Sequence, residues 1–243
     1  MKVGIDIGHG GSDPGAIGPS GLKEKDVNLS VGLILLDLLR QRGFNAIAPR
    51  TKDVYVSLKE RVKRFNNEKP DLVVSIHVNA FSDPSADYIA TFIYQRGGAA
   101  EKAAKLVQEQ LRLGTKWRGP ASPNGLITNN LYILRETISP AILVEMGFIT
   151  NPRHEQQLRD RGFHQVLAEA IAKGLAAYFG KPAVGEPSNA GKVKIVLNGR
   201  EIAFDVDPVI IAGRVVAPVR QLAEALGAKV IWDAEQMTVF LEK

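Results

Sequence analysis

Residues 3–28 read VGIDIGHGGSDPGAIGPSGLKEKDVN, and the fold turns on how this stretch divides. Residues 3–7 form a short apolar run that reads as a buried strand, and His9 follows it. A loop with Gly10, Gly11, Gly15, Gly18 and Gly21 comes next and delivers Glu24 to the head of an apolar segment at 27–40. That segment, VNLSVGLILLDLLR, has helical spacing and stops near Gly43. A histidine beyond a strand and an acid where the next helix begins are two candidate metal ligands. A phosphate cradle is the rival reading of the glycines, but GHGGSDPG lacks the GxxxxGK[ST] pattern and has no well-placed lysine.

Working outward, the same alternation continues. Residues 46–48 predict a short strand, and Ser57 with Glu60 predicts a capping box opening a helix. The run DLVVSI at 71–76 has the continuous apolar character of a strand covered on both faces. Residues 90–94 predict a strand and 98–113 an amphipathic helix, followed by a loop at 114–130. Short strands are expected at 131–134 and 141–144, then helices at 152–160 and 164–179. Strands alternating with helices to about residue 180 indicate an α/β domain with a mostly parallel sheet flanked by helices. Ligands of such sheets bind at the carboxyl ends of the strands. Three apolar runs end there in a titratable residue: 3–7 in His9, 72–76 in His77 and 141–144 in Glu145.

Residues 181–191 (KPAVGEPSNAG) read as a linker. Residues 192–243 then form a small α+β domain: strands at 193–197 and 201–206 about an Asn198-Gly199 turn, a helix at 218–226, and strands at 229–232 and 238–241.

Composition narrows the chemistry. With no cysteine among 243 residues, disulfides, thiolate metal sites and a cysteine nucleophile are excluded. Residues 192–243 carry seven basic and seven acidic side chains, so the net charge of +5 belongs to residues 1–191. A mildly basic domain is drawn to polyanions, among them an anionic cell wall, though so small an excess is also what a plain soluble surface carries. No nucleic-acid module accompanies it. No apolar run is long enough to span a bilayer. The N-terminus lacks a signal peptide's apolar core and cleavage site, so the expectation is either no export leader or a leader already removed.

Four histidines are available. His154, in NPRHEQQLRD, reads as solvated, and His164 as a capping or surface residue. His9 and His77 each follow a buried strand. With one carboxylate they suit Zn²⁺, and a second carboxylate would serve as base. Whether Glu24 or Glu145 is the ligand stays open on residue type alone. Asp6 reads as a hydrogen-bond partner of a ligand histidine or as a buried acid on backbone amides. A serine hydrolase is disfavoured: there is no GxSxG elbow, and Ser75 points the same way as His77 rather than toward it.

The segments GIDIGHGGSDPGAIGPSGLKEKDVNL, SIHVNA and PAILVEMGFITNP, with the stretch from Arg50 to Arg61, resemble the zinc-dependent N-acetylmuramoyl-L-alanine amidases of the type 3 family over about residues 1–180. The resemblance implies His9, Glu24 and His77 as zinc ligands and Glu145 as catalytic base. It implies hydrolysis of the amide between the lactyl group of N-acetylmuramic acid and L-alanine of the stem peptide, with peptidoglycan as partner. Asn79 and Arg135 are candidate substrate contacts. Ile7, Val78 and Pro49 depart from common family residues without touching the four. No long helical insert stands over the site, which implies an open cleft.

Residues 192–243 resemble the copper amine oxidase N-terminal-like domain, which implies a wall-binding or tethering role, with a stabilising appendage or dimerisation piece as the alternative; with Met237 its lone sulfur ligand and no histidine, copper is not expected. The resulting expectation is a two-domain peptidoglycan amidase, 1–180 catalytic and 192–243 accessory. It is either an endolysin held in the cytoplasm until released or an exported autolysin. A zinc peptidase or deacylase on small acyl-amides and a non-catalytic wall-binding protein are the alternatives.

Overall fold

The computed structural model describes residues 1–120, 125–181, 193–205, 208–211, 214–233 and 238–242. The chain divides into two compact units, Met1–Lys181 and Pro182–Lys243. The first contains, in chain order, β1 (Lys2–Ile7), α1 (Glu24–Gln41), β2 (Asn45–Ile47), α2 (Leu58–Glu68), β3 (Leu72–Asn79), β4 (Ala90–Ile93), α3 (Gly98–Thr115), β5 (Leu126–Thr128), α4 (Tyr132–Glu136), β6 (Ala141–Phe148), α5 (Pro152–Leu158) and α6 (Arg161–Tyr178). The strands form one sheet in the order β2-β1-β3-β6-β4-β5. β2, β1, β3 and β6 run parallel, whereas β4 is antiparallel to β6 and carries β5 parallel to itself.

Alternation along β3 sends side chains to two layers. Leu72, Val74, Ile76 and Val78 join the larger core, with Val31 and Leu35 of α1, Val107 and Leu111 of α3, and Ile171 of α6. Val73 faces the other way, with Phe65 of α2, Leu143 of β6 and Ile133 and Leu134 of α4. The sheet is therefore sandwiched, and both of its faces are dry. A fully buried Leu or Ile contributes about 1.5–3 kcal/mol by leaving water.

Local signals account for the helix ends. Both halves of the Ser57–Glu60 capping box are present. Asn151 caps α5 ahead of Pro152, and Asp160 caps α6 through Gly162 N–H. α1 has no side-chain cap; Glu24 and Asp26 sit in its first turn, where the helix dipole favours acids.

Two sequence expectations change. Residues 132–136 form a helical turn instead of a strand, with β5 just upstream at Leu126–Thr128. In it Ile133 and Leu134 are buried as neighbours and Arg135 is exposed, a helical rather than a period-two pattern. Second, β3 and β6 run past their apolar stretches, so His77 and Glu145 lie within strands, because the ladder is made by backbone groups whatever the side chain.

The second unit contains β7 (Val196–Leu197), β8 (Arg200–Glu201), β9 (Val209–Ile211), β10 (Arg214–Val216), α7 (Val219–Ala225), β11 (Lys229–Asp233) and β12 (Thr238–Glu242). β7 and β8 pair about Asn198 and Gly199, whose φ values of 51° and 80° suit the tight turn expected there. β9 and β10 form a hairpin that the sequence reading did not separate. The expected linker at 181–191 lies, apart from Lys181, outside the described residues.

Candidate metal centre

The register brings the first pair together. In the parallel pair β3–β6, His77 stands opposite Glu145. Val73 and Leu143 share the α2 face four and two residues earlier, so His77 and Glu145 share it too. Immediately after this pair the register shifts, and Asn79 meets Phe148. The extra residue on β6 lies around Gly147, whose φ of 106° is closed to most side chains.

His9 reaches the same rim from β1. Its φ of 59° is left-handed, an arrangement costing about 1–2 kcal/mol for a residue with a Cβ. Two buried arginines hold it. Arg61 donates to the carbonyls of Ile7 and His9, the latter at 2.7 Å. Arg50 donates to Ile7 O at 2.9 Å and Gly8 O at 2.8 Å. Arg61 is itself neutralised by Asp6 at 2.8 Å, and Ser75 Oγ donates to the other Asp6 oxygen at 2.7 Å. Asp6 is thus not the partner of a ligand histidine, as one reading allowed. Asp13 has that place: its Oδ2 lies 2.8 Å from His9 Nδ1, which leaves Nε2 facing Glu24 Oε2 at 3.2 Å.

Glu24 arrives from the glycine-rich loop. Residues 16–24 form a narrow hairpin: Ile17 bridges Lys23, Gly18 N–H donates to Leu22 O, and Glu24 N–H donates to Ala16 O. Its carboxylate accepts from Ala16 N–H at 2.9 Å, Val78 N–H at 3.0 Å and Asn28 Nδ2 at 3.3 Å, and lies 2.9 Å from His77 Nδ1. Gly15 (φ 65°) must be glycine, since a Cβ there would collide with Glu24 Oε2 and His9. Gly8 is crowded by the His77 ring in the same way.

One ligand atom each from His9, Glu24 and His77 falls within 4.8 Å of the others, and the two imidazoles meet edge to face with centroids 4.9 Å apart. Burial pushes Glu24 up, but the two imidazoles outweigh it and hold the carboxyl well below its ordinary range. Burial lowers His9, yet Glu24 and Asp13 outweigh it and raise the imidazole. Glu145 has no such company. Desolvation first, and the charge of Glu24 second, push it well above the usual carboxyl range. Its Oε2 is buried and has no hydrogen-bond partner, an arrangement that calls for an explanation. Two imidazoles and a carboxylate converging on one point form a donor set suited to Zn²⁺, and the orphaned oxygen beside them suits a group acting on a water there.

The remaining candidates fall elsewhere. Asn79 ends β3 on the rim, its Oδ1 accepting from Ala80 N–H at 2.8 Å. Arg135 is not brought to the trio. It donates to Asn130 and Glu136, next to Asn129, whose N–H binds Ile93 O; Ile93 pairs with Ile142, near the start of β6 and away from Glu145. His154 is fully buried rather than solvated. Its Nδ1 accepts from Phe148 N–H at 3.0 Å, so Nε2–H donates to Asp87 at 2.8 Å, and Trp117 stacks on the ring. His164 is buried between Ser30 Oγ and Leu158 O. Arg50, Arg61, Asp13 and His154 were missed as supports of the site. Arg50 and Arg61 stood within a stretch read for a helix cap and for the resemblance, with no role given to either arginine.

The family described as N-acetylmuramoyl-L-alanine amidase matches residues 3–177. The chain belongs to this family. An uncharacterised Bacillus subtilis protein, YqiI, is 36% identical over 177 residues, covering 72% of this chain and 83% of its own. A sporulation-specific N-acetylmuramoyl-L-alanine amidase of B. subtilis is 33% identical over 209 residues, covering 85% of this chain and 78% of its own. Among solved structures, an N-acetylmuramoyl-L-alanine amidase from Clostridium difficile 630 is 36% identical with a TM-score of 0.69, over 74% of this chain and 96% of that one. The amidase family thus accounts for the first unit. Residues 189–243 match the copper amine oxidase N-terminal domain.

Proposed function

We propose that this chain is a zinc-dependent N-acetylmuramoyl-L-alanine amidase. It hydrolyses the amide between the lactyl group of N-acetylmuramic acid and L-alanine of the peptidoglycan stem peptide. His9, Glu24 and His77 hold the metal, and Glu145 is the general base. The observation that carries the assignment of Glu145 is its buried, partnerless Oε2 beside the trio.

When bound, zinc supplies Lewis acidity and lowers the pKa of a water to about 7. Glu145, opposite His77 in the register, takes the proton of the attacking water and returns it to the departing nitrogen. Its raised pKa suits it to hold that proton between the two events. Asp13 fixes the ring of His9, and Val78, Ala16 and Asn28 fix the carboxylate of Glu24, so the site is organised before substrate arrives. Asn79, at the end of β3, contacts substrate in this reading.

The catalytic domain spans residues 1–180, and residues 192–243 are a separate accessory domain that grips the wall. No described helix is long and apolar enough to cross a membrane. The test is zymography on purified sacculi with chelator and Glu145→Ala controls. New free N-terminal alanine, lost in both controls, is the expected result. Released reducing sugar ends would overturn the proposal. Turnover of free N-acylated amino acids with none of sacculi would favour a small-amide deacylase, and tight sacculus binding without product a non-catalytic wall protein.

A further inference from the structure

The hairpin that carries Glu24 is bolted at its far end by an acid with no assigned role. Gly18, Pro19, Ser20 and Gly21 form its tip, closed by a Gly21 N–H bond to Gly18 O. Glu155 of α5 reaches this tip from 135 residues away. Its carboxylate accepts from Ser20 N–H at 3.0 and 3.1 Å and from Leu22 N–H at 3.2 Å. Arg159, one turn further along, donates to Ser20 O and Ser20 Oγ, both at 2.7 Å, and lies 3.4 Å from Glu155. Glu155 is only 3% exposed, an expensive position for an acid on a surface-facing helix. The contact is close-fitting: a Cβ on Gly18 would run into Glu155 Oε1.

The bolt joins the two halves of the site. α5 follows directly from β6, the strand of Glu145. The hairpin's base supplies Ala16 N–H to Glu24 Oε2 and pairs Glu24 N–H with Ala16 O. We infer that Glu155 is a positioning residue for the metal centre: by clamping the hairpin tip to the β6–α5 corner, it holds Glu24 in ligating geometry and sets the affinity for the ion. Without the clamp, two glycines at left-handed φ, Gly15 and Gly21, leave the hairpin free to swing, and Glu24 loses its Ala16 contact. Among the described hydrogen bonds from residues 18–22 to other elements, the only ones besides those to Glu155 come from Arg159 to Ser20, and Arg159 itself lies against Glu155. This inference rests on the metal reading of His9, Glu24 and His77.

The test uses the full chain, stripped of metal and titrated with Zn²⁺ against a chromophoric chelator. Amide hydrogen exchange is followed at residues 16–24. Glu155→Ala is expected to weaken zinc affinity roughly 10- to 100-fold, the usual range for losing an outer support of a ligand, and to speed exchange at Ala16, Ser20 and Leu22. Glu155→Gln keeps one acceptor oxygen and should lie between; it also serves if the alanine variant does not fold. Leu111→Ala, in the core on α3, is the control for simple destabilisation. It should lower Tm while leaving zinc affinity within about twofold, on the general expectation that distant sites are independent. Unchanged affinity and exchange in both Glu155 variants, with wild-type binding intact, would overturn the inference alone. So would an affinity loss in Leu111→Ala as large as in Glu155→Ala. Failure of the wild-type chain to bind zinc would overturn the metal reading and the inference together.

Discussion

The end of β1 and the middle of β6 are built in opposite ways. At the end of β1 the backbone carbonyls of Ile7, Gly8 and His9 are all taken by buried guanidinium groups, and Arg61 is itself paired with Asp6. At Glu145 of β6 one carboxylate oxygen is left without a partner, and the backbone just beyond is kinked and held by a neutral imidazole. The roles proposed for His9 and Glu145 differ accordingly. A ligand needs a fixed direction, which costs strain and is held by charge-assisted hydrogen bonds. A base needs a raised proton affinity, which desolvation supplies and a ring of donors would destroy. Rigid polar support at the end of β1 and polar starvation within β6 fit those proposed roles.

The contrast can be broken at either end. The largest effect belongs to Glu145→Gln, which removes the proposed base while keeping the shape. Sacculus hydrolysis should fall by about 10²–10⁴-fold. Because the Glu145 pKa is raised, the native state holds its proton more tightly than the unfolded chain. Stability of the metal-free protein therefore falls as pH rises above the ordinary carboxyl range of about 4.3, and the Gln variant escapes that fall. Denaturant melts of apo protein at pH 4 and pH 8 check the sign: a Gln variant no more stable than wild type at the higher pH would contradict a starved site.

Arg61→Met attacks the other end. It leaves Asp6 charged and unpaired in the interior and strips donors from Ile7 O and His9 O, and should cost about 3–5 kcal/mol. Adding Asp6→Asn should restore part of that, and equal stability of the single and double variants would refute an ion-pair origin. Next, Gly15→Ala should cost about 1–2 kcal/mol for its left-handed backbone and weaken zinc binding by crowding Glu24, measurable by chelator competition.

The smallest effect concerns the His154 support. Burial lowers the His154 pKa below its ordinary value, so the unfolded chain binds the proton first. The stabilising contribution is complete above about pH 6.5 and is lost as pH falls below that. His154→Asn, which can still accept from Phe148 N–H, should flatten this acid-side slope in urea melts across pH 5–7. An unchanged slope would place the titration elsewhere.

Periodicity carried far in this chain. The alternation of 3.6- and 2-residue patterns located most elements of the first unit, and the Ser57 capping box was legible because its partners are three residues apart. Residues 132–136 went astray because five residues hold too little of either period to separate a turn of helix from a short strand. His154 looked solvated in NPRHEQQLRD because a charged stretch normally faces water; here Trp117 stacks on it, and the backbone of a loop 135 residues upstream covers its neighbour Glu155.

Residue type and local spacing were enough to show an α/β chain with no thiol chemistry, two histidines after buried strands and two candidate acids. They could not divide the roles of Glu24 and Glu145, which differ in partners rather than in kind. Tertiary structure divided their surroundings. Register put Glu145 beside His77 in a dry, donor-poor place, while the hairpin folded Glu24 onto two imidazoles and two backbone amides. Charge and solvation act through space over a few ångströms, and chain order carries no record of which distant groups will share them.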